Sequence, residues 1–230
     1  TQTSQTNTIY DKKELKHERK FIHTAEKIEV KDNVLDIYKI DNFLSKKECE
    51  DLVEIIKDNM RKSMVSFADK PDEYVDNKVR TSSTCDLNKS HGALPEKINE
   101  RINAHMGIHK LFGEALQGQH YDETQEFKSH TDTFAPNTDE YEKFAKTTGQ
   151  RTWTFMIYLN ELEEGGETKF TKVKTPDGKQ LSFKPKLGHA ITWNNLYVNG
   201  EPNSYSMHQG CPVKKGEKII ITKWFRERRA

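Results

Sequence analysis

The sequence has few cysteines and no long apolar run. Its three cysteines, Cys49, Cys85 and Cys211, are odd in number and lack the spacing of a metal site. We therefore expect no disulfide framework and a reducing, cytoplasmic location. No window approaches the roughly 18 consecutive apolar residues of a membrane-spanning helix, so we expect no membrane association. Residues 1–8 also lack the apolar run of a signal peptide, but an upstream signal stays open because the sequence does not begin with Met.

The sequence also lacks an excess of charge of one sign. Its 230 residues include 37 Lys and Arg against 36 Asp and Glu, which gives a formal net charge of +1. The overall balance therefore does not indicate a basic nucleic-acid surface, and we expect no nucleic-acid partner. Charged residues are still abundant, at 32%, against about 25% in an average domain. Eleven Phe, eight Tyr and three Trp favour a packed core beneath this charged exterior.

The chain divides by composition into two regions. Residues 1–33 are polar and charged, and we interpret them as an N-terminal extension, either a solvated tail or an arm that binds a partner. Residues 34–230 are expected to form one domain, which begins with a strand over residues 34–40. The oligomeric state is left open by the sequence.

Two helices are predicted in the first half of this domain. Ser45 and Glu48 have the spacing of a capping box, in which each side chain satisfies a backbone N–H at a helix start. Apolar residues follow at roughly helical spacing, which predicts an amphipathic helix over residues 45–60. A second helix is predicted to start at Pro95, because proline suits the first helical position. Both helices are expected to cover a sheet.

From Glu114 onward, short β-rich runs alternate with Gly, Pro, Asn and Asp. This punctuation is typical of a sandwich or a jelly roll. The predicted strands are 114–121, 127–134, 152–160, 167–170, 180–183, 189–193, 206–210 and 217–225. We also predict a long loop over residues 136–150 and a hairpin turn at Asp177-Gly178. The expected fold class is therefore mainly β with flanking helices.

His130-Thr131-Asp132 is the first candidate for chemistry. On a strand, residues i and i+2 point to the same face, so an imidazole and a carboxylate could share one divalent metal. Nine His and 14 Asp in 230 residues make about half such a match expected by chance, so the motif needs a third ligand. His208, on a predicted strand 76 residues beyond Asp132, completes the facial arrangement of two His and one carboxylate found in non-haem Fe(II) oxygenases. A structural histidine is the alternative for His208.

Lys218 lies ten residues after His208, on a predicted strand that is otherwise strongly apolar. A lysine is costly to bury unless its ammonium meets an anion. A dicarboxylate co-substrate on the metal would supply one through a charge-assisted hydrogen bond. The alternative is that Lys218 faces solvent beside Glu217 and Lys223, and its spacing alone does not separate the two.

Several segments resemble the procollagen-type prolyl 4-hydroxylases, which are Fe(II)- and 2-oxoglutarate-dependent dioxygenases. The clearest are Tyr158–Phe170, Y-L-N-E-L-E-E-G-G-E-T-K-F, and Met207–Trp224, M-H-Q-G-C-P-V-K-K-G-E-K-I-I-I-T-K-W. Residues 121–132 and 79–82 extend the resemblance, which covers roughly residues 34–226. It implies a double-stranded β-helix, a jelly roll with helices packed on one sheet. It also implies Fe(II), 2-oxoglutarate and O₂ as reactants, with ascorbate as a reductant.

The resemblance also implies roles for individual residues. The implied iron ligands are His130, Asp132 and His208. The implied co-substrate contacts are Lys218, which anchors the distal carboxylate with help from Thr154, and Tyr121 and Trp224, which line the same pocket. The residues implied to engage a peptide are Arg80, Ser82 and Glu114, and Arg226 is added as a substrate residue because it stands where the family has a histidine associated with substrate handling. No catalytic residue is implied beyond the metal centre.

One departure from the family pattern concerns the substrate. The family commonly ends its last strand with Lys-Trp-Ile-His, whereas this chain has Lys223-Trp224-Phe225-Arg226. Arg226 therefore puts the peptide specificity in question without touching the iron site. We expect hydroxylation of peptidyl proline in a protein or peptide partner, with 2-oxoglutarate decarboxylated to succinate and CO₂. The alternatives are a hydroxylase of another residue or of a small molecule, and a non-catalytic jelly-roll binding module.

Overall fold

The computed structural model describes residues 25–67, 70–74 and 78–229. Within these ranges, three α-helices are α1 (Lys46–Asp58), α2 (Ala93–Met106) and α3 (Asp139–Phe144). The strands are β1 (Ala25–Lys27), β2 (Ile37–Ile40), β3 (Arg61–Lys62), β4 (Val65–Phe67), β5 (Lys70–Tyr74), β6 (Ser83–Leu87), β7 (Leu116–Tyr121), β8 (Phe127–His130), β9 (Arg151–Tyr158), β10 (Glu164–Gly165), β11 (Thr168–Lys174), β12 (Gln180–Phe183), β13 (Ala190–Asn194), β14 (His208–Gly210), β15 (Val213–Lys215) and β16 (Lys218–Arg226). None of the helices in the described ranges is both long and apolar enough to cross a membrane.

Two antiparallel sheets form the body of the molecule. The main sheet has the strand order β1-β2-β13-β9-β16-β7-β6-β3, and the minor sheet has the order β12-β11-β14-β8. Strands that neighbour each other in these sheets are often far apart in sequence, as β16 is from β7, which is the connectivity of a jelly roll. The fold class predicted from the sequence is confirmed.

The main sheet packs against a different layer on each face, because alternate residues of a strand point to opposite sides. One apolar cluster lies between the sheet and the helices and includes Leu52, Ile56, Ile98, Ile102, Phe155, Ile157, Ile219 and Ile221. The other lies between the two sheets and includes Tyr121, Met156, Tyr158, Phe170, Val173, Leu181 and Ile220. The interior that holds the candidate site is therefore on the side away from the helices.

Helix α1 begins as its sequence predicts. The Glu48 N–H donates to Ser45 Oγ over 3.2 Å, and the Ser45 N–H donates to Glu48 Oε2 over 3.0 Å, which is the predicted capping box. The helix then packs closely on β7, because a Cβ at Gly118 would lie 2.5 Å from Ile56 Cγ1. A larger residue in place of Gly118 would push α1 away from the sheet.

The structure differs from the sequence prediction at several places. Strands β3, β4, β5, β6, β10 and β15 were not predicted. Strand β1 precedes the boundary predicted at residue 34 and pairs with β2, whereas residues 1–24 of the predicted extension lie outside the described residues. Helix α2 begins at Ala93, two residues before Pro95. Residues 136–150 were expected to be a loop but contain α3, whose start is capped by the Thr138 hydroxyl accepting from the Tyr141 N–H. The hydrogen bond, rather than an apolar stripe, defines this short helix, so hydrophobic spacing did not predict it.

The hairpin turn predicted at Asp177-Gly178 is confirmed. Strands β11 and β12 form a hairpin in which Lys174 pairs with Gln180. Gly178 supplies the positive φ of 84° that the turn requires and that residues with a Cβ rarely adopt.

Candidate metal centre and adjoining cleft

The two candidate histidines meet on the minor sheet. His130 ends β8 and His208 begins β14, and the two residues are direct partners in the antiparallel register. Their ring centroids lie 4.4 Å apart. Asp132 follows β8 by two residues and is buried, so its carboxylate reaches the same place.

These three side chains form a compact group of possible ligands. Asp132 Oδ1 lies 3.5 Å from His130 Nε2 and 3.8 Å from His208 Nε2. One ligand atom from each residue lies within 4.8 Å of the others. Two imidazoles and one carboxylate on one side of a position can hold a metal ion and leave its other side open. The structure thus brings together all three ligands predicted from the sequence.

Hydrogen bonds orient each histidine for metal binding. His130 Nδ1 lies 2.7 Å from the carbonyl oxygen of Lys128, and His208 Nδ1 lies 2.8 Å from the carbonyl oxygen of Ser206. Because a carbonyl oxygen only accepts, each Nδ1 donates, which leaves the lone pair on Nε2. Bonds of this kind fix the tautomer and ring orientation of histidines that bind metals.

Hydrogen bonds from neighbouring side chains also orient the Asp132 carboxylate. Its Oδ2 accepts a hydrogen bond of 2.6 Å from the hydroxyl of Thr154. Thr154 Oγ1 in turn accepts a 2.8 Å bond from the amide of Asn195, which is fully buried. The sequence analysis missed Asn195, since an asparagine in the polar stretch after a strand carries no signal of its own.

The protonation states of His208 and Asp132 are those that metal ligands require. Burial, the largest influence, lowers the pKa of His208 to about 4, so its imidazole is neutral at pH 7. Burial alone would raise the pKa of Asp132, but the electrostatic interactions with His208, His130 and Arg151 outweigh it and keep that pKa below its ordinary value. A neutral imidazole and an ionised carboxylate are the forms that bind metals.

Lys218 lies inside the barrel and is 2% exposed. Its ammonium lies 5.3 Å from the ring centroid of Tyr121 and 5.9 Å from that of Tyr158. A Cβ at Gly210, two residues beyond His208, would lie 3.6 Å from Lys218 Nζ. No residue in the described part of the chain forms an ion pair or hydrogen bond with this ammonium, and burial lowers its pKa to about 8. A buried cation without an anion is costly, so the geometry favours an anionic ligand there.

Tyr158 also lies beside this ammonium, and Thr168 holds Tyr158 in place. The Tyr158 hydroxyl donates to Thr168 Oγ1 over 2.7 Å, and both side chains are buried. The sequence analysis missed these two as site residues. Their place in the segment Tyr158–Phe170, on which the family resemblance rested, was the available signal.

Thr154 and Trp224 lie elsewhere than the resemblance implied. They are register partners on β9 and β16, and Trp224 is six residues from Lys218, about 20 Å along an extended strand. Thr154 bonds Asp132 rather than Lys218. The end of the barrel that contains Lys218 instead carries Tyr121, its direct register partner. Of the four expected co-substrate contacts, Lys218 and Tyr121 therefore lie together, and Thr154 and Trp224 lie on the Asp132 side.

A cleft of about 970 Å³ opens beside the ligand group, lined by His130, Asp132 and three of the four predicted substrate residues, Arg80, Glu114 and Arg226. The fourth, Ser82, is buried behind Arg80 and accepts a 3.1 Å bond from its Nε.

Arg226 and Glu114, which both line this cleft, form an ion pair with each other. Arg226 Nη1 lies 2.8 Å from Glu114 Oε1, and Arg151 holds both carboxylate oxygens at 2.7 and 2.8 Å. Burial alone would raise the pKa of Glu114, but the two guanidinium groups lower it. The sequence analysis missed Arg151, which also lies over the Trp224 ring at 4.1 Å.

Arg226 has further partners that a histidine could not reach together. Its Nε donates over 3.0 Å to the carbonyl of Gly149, and its Nη2 donates to the carbonyl of Phe144 at the end of α3. The replacement of the family's histidine thus ties β16 to the segment that contains α3.

A second group of possible ligands, His120, Asp122 and Glu217, lies at the end of β7. His120 Nε2 lies 2.7 Å from Glu217 Oε2. The other oxygen of Glu217 is in an ion pair with Lys57 over 2.5 Å. This group therefore has its own partners and faces the helical side of the sheet, away from Tyr121, because successive residues of a strand point to opposite faces.

The comparison with known proteins agrees with a jelly roll that brings two histidines and an aspartate together. A family model described as the 2OG-Fe(II) oxygenase superfamily matches residues 116–226. Probable prolyl 4-hydroxylase 10 of Arabidopsis thaliana is 37% identical over 198 residues, which cover 80% of this chain and 66% of that protein. Probable prolyl 4-hydroxylase 6 of the same plant is 35% identical, with 81% of this chain and 67% of that protein covered. The chain belongs to the 2OG-Fe(II) oxygenase superfamily.

A solved structure of a prolyl hydroxylase also resembles this chain. The viral collagen prolyl hydroxylase of Paramecium Bursaria Chlorella virus-1, in complex with 2OG, matches with a TM-score of 0.60 and 27% identity, over 83% of this chain and 95% of that chain. The chain spans about two thirds of the length of the plant relatives. The family resemblance inferred from the sequence is confirmed.

Proposed function

We propose that this protein is a prolyl 4-hydroxylase, a dioxygenase that uses Fe(II), 2-oxoglutarate and O₂ to hydroxylate peptidyl proline. The observation that carries the proposal is the joint presence, in one interior, of the His130, Asp132 and His208 ligand group and the unpartnered ammonium of Lys218. A non-catalytic binding module would have no need of either feature. The prolyl 4-hydroxylase relatives support the proline substrate.

The donor set fits ferrous iron. His130 and His208 would each bind through Nε2, because their Nδ1 atoms are engaged by backbone carbonyls. Asp132 would bind through Oδ1, because its Oδ2 accepts from Thr154. When bound, the iron, the keto acid and O₂ supply an oxidative decarboxylation that yields succinate and CO₂ and adds one oxygen atom to the substrate.

The protein's own residues hold and shield these reactants. Lys218 would form a charge-assisted bond with the distal carboxylate of 2-oxoglutarate, while the rings of Tyr121 and Tyr158 exclude water from that end. Trp193 and Phe170 pack on the His208 ring at 4.8 and 5.6 Å and hold it in place. The open cleft would take an extended polypeptide, with Arg80 beside His130 as one wall.

The direct test is hydroxylation of proline-rich peptides. We expect that incubation with Fe(II), 2-oxoglutarate and ascorbate, the proposed reductant, adds the mass of one oxygen atom to proline, and that amino-acid analysis identifies 4-hydroxyproline. Succinate formation that depends on the peptide would report the same reaction. Oxygen addition on another residue, or on a small molecule alone, would replace the proline assignment.

Thr154→Val tests the reassigned role of this threonine. We expect the variant to weaken Fe(II) binding by about 10- to 100-fold, the usual cost of losing a partner that orients a metal ligand, while KM for 2-oxoglutarate changes little. Metal titration and co-substrate kinetics would separate the two effects, and Thr154→Ser, which keeps the hydroxyl, is the matched control. A larger effect on 2-oxoglutarate than on iron would return Thr154 to the role that the resemblance implied.

A pH dependence follows from Lys218, whose pKa is lowered to about 8 by burial. The ammonium is charged below this pH and loses its charge above it, so we expect KM for 2-oxoglutarate to rise as the pH increases beyond about 8. Lys218→Arg keeps the charge at all these pH values and is expected to remove the rise. An unchanged pH profile in that variant would assign the titration to another group.

Two further proposals concern the setting of the enzyme. Cys49, Cys85 and Cys211 are free thiols, which supports a reducing compartment such as the cytoplasm.

We also propose that the catalytic domain includes residues 25–33 in addition to 34–230, because β1 pairs with β2 and Val30 is buried.

A further inference from the structure

The outer face of the minor sheet carries a concentration of lysines. Residues 169–186 contain six Lys and one Asp, a net charge of +5 in a chain whose total is +1. The rest of the chain is therefore net negative by four charges. Lys172, Lys174 and Lys184 are exposed and Lys169 is half-buried, on strands β11 and β12 or next to them.

These lysines have no anionic partners in the described part of the chain. Lysines elsewhere often do: Lys46 and Lys47 pair with Glu50 and Asp51, for example. In the basic segment the single acid, Asp177, is already bound by Lys179 over 2.8 Å. Lys128, Lys169, Lys172, Lys174 and Lys184, by contrast, form no ion pair. An acidic ligand could therefore reach these ammonium groups without displacing an ion pair of the described residues.

The basic face is continuous with the rim of the cleft. Lys128 and Ser129 line the cleft on β8, and Ser129 Oγ lies 3.2 Å from Thr171 Oγ1 on β11. Thr171 lies between Lys169 and Lys172. Lys169 in turn pairs with Gln209, the residue after His208. A chain that leaves the cleft across β8 would therefore meet the lysines of β11 directly.

The chemistry of this face favours an acidic polypeptide. Its other outward residues are polar: Ser129, Thr171, Gln180, Ser182 and Gln209. Surfaces that bind single-stranded nucleic acid usually add exposed aromatic rings for base stacking. The large exposed apolar residues in the described ranges are Met60, Leu111, Tyr197 and Val198, none of them on this sheet.

We propose that Lys169, Lys172, Lys174 and Lys184 bind an acidic stretch of the polypeptide substrate whose proline occupies the cleft. The inference rests on the proposed function and adds the substrate class, a proline flanked by acidic residues. Strand β11 lies two strand spacings from β8, about 10 Å, which an extended chain covers in about three residues. The acidic stretch would therefore begin about four residues from the proline.

The test compares three peptides and two charge-reversal variants. One peptide is neutral, and each of the other two carries four Glu, which begin four residues before the proline in one and four residues after it in the other. We expect wild-type kcat/KM to be at least about tenfold higher for one acidic peptide at low ionic strength, and this preference to fall with salt. Lys172→Glu/Lys174→Glu is expected to lose the preference. The control Lys46→Glu/Lys47→Glu, with the same charge change on α1, is expected to keep it.

The readouts separate this inference from the proposed function. The neutral peptide should be hydroxylated equally by all three proteins, because the lysines lie outside the reacting centre. If the neutral peptide is hydroxylated but the acidic peptides show no preference, or both variants lose it equally, the inference is overturned. If no peptide is hydroxylated, the proposed function is wrong. Fluorescence anisotropy of a labelled acidic peptide would still test whether the basic face binds acidic polypeptides. Equal binding to wild type and Lys172→Glu/Lys174→Glu, or tighter binding of a single-stranded oligonucleotide, would overturn it.

Discussion

Replacing His208 with alanine is expected to abolish succinate formation and Fe(II) binding together. The variant leaves one imidazole and one carboxylate, and the loss should exceed the roughly 10- to 100-fold cost of removing a partner that only orients a ligand. Anaerobic addition of Fe(II) and 2-oxoglutarate measures this directly, since a bound keto acid gives a weak visible charge-transfer band. We expect no band in the variant.

The ring of His208 also packs on Trp193 and Phe170, so alanine removes contacts as well as a ligand. His208→Gln keeps more of the volume, and circular dichroism would verify that both variants fold. His189→Ala is a matched control, because His189 is equally buried but bonds Asp41 over 2.8 Å outside the site. Turnover retained in folded His208 variants would contradict the ligand assignment.

Replacing Lys218 with methionine is expected to raise KM for 2-oxoglutarate and to leave Fe(II) affinity nearly unchanged. Removing one partner of a buried charge pair costs about 2 kcal/mol or more, which corresponds to about 30-fold or more in affinity. Methionine matches the length of the apolar stem, so the barrel should stay packed. Kinetics at varied 2-oxoglutarate and saturating iron would measure the effect, and titration of the metal would check that the ligands are intact.

Lys223→Met is the control for this change. Lys223 is on the same strand and is also 2% exposed, but its ammonium bonds the carbonyl of Glu114 on the opposite face of the sheet. We expect KM for 2-oxoglutarate to stay at the wild-type value in this variant. Equal losses of iron and 2-oxoglutarate binding in Lys218→Met would mean that the lysine is structural.

Local elements were predictable where short-range interactions determine them. The capping box at Ser45 and Glu48 forms within one helical turn, and the hairpin at Gly178 depends on a positive φ, so both can be predicted from adjacent residues. Strand β1 was missed because its three exposed residues have no apolar alternation. Pairing with β2, which no local pattern describes, makes it a strand.

The site was predictable to the extent that residue types limit its chemistry. Few functions combine a carboxylate two residues from a histidine with a distant second histidine and a lysine in an apolar strand. Among these functions, the family motifs indicated the Fe(II)- and 2-oxoglutarate-dependent dioxygenases. The partners of these groups were not predictable in the same way. Thr154 bonds Asp132, and Arg226 bonds Glu114, only because of how the strands are aligned.

The amino-acid sequence by itself determined the ligand types, the presence of a lysine in an apolar strand, the jelly-roll class and the family. These depend on side-chain chemistry and on spacing along the chain, which the sequence states directly. The tertiary structure alone decided that His130 and His208 are register partners, that Lys218 is buried without an ion pair among the described residues, and that the lysines of β11 adjoin the cleft. Each of these is a relation between strands far apart in sequence, set by register and packing over the whole sheet.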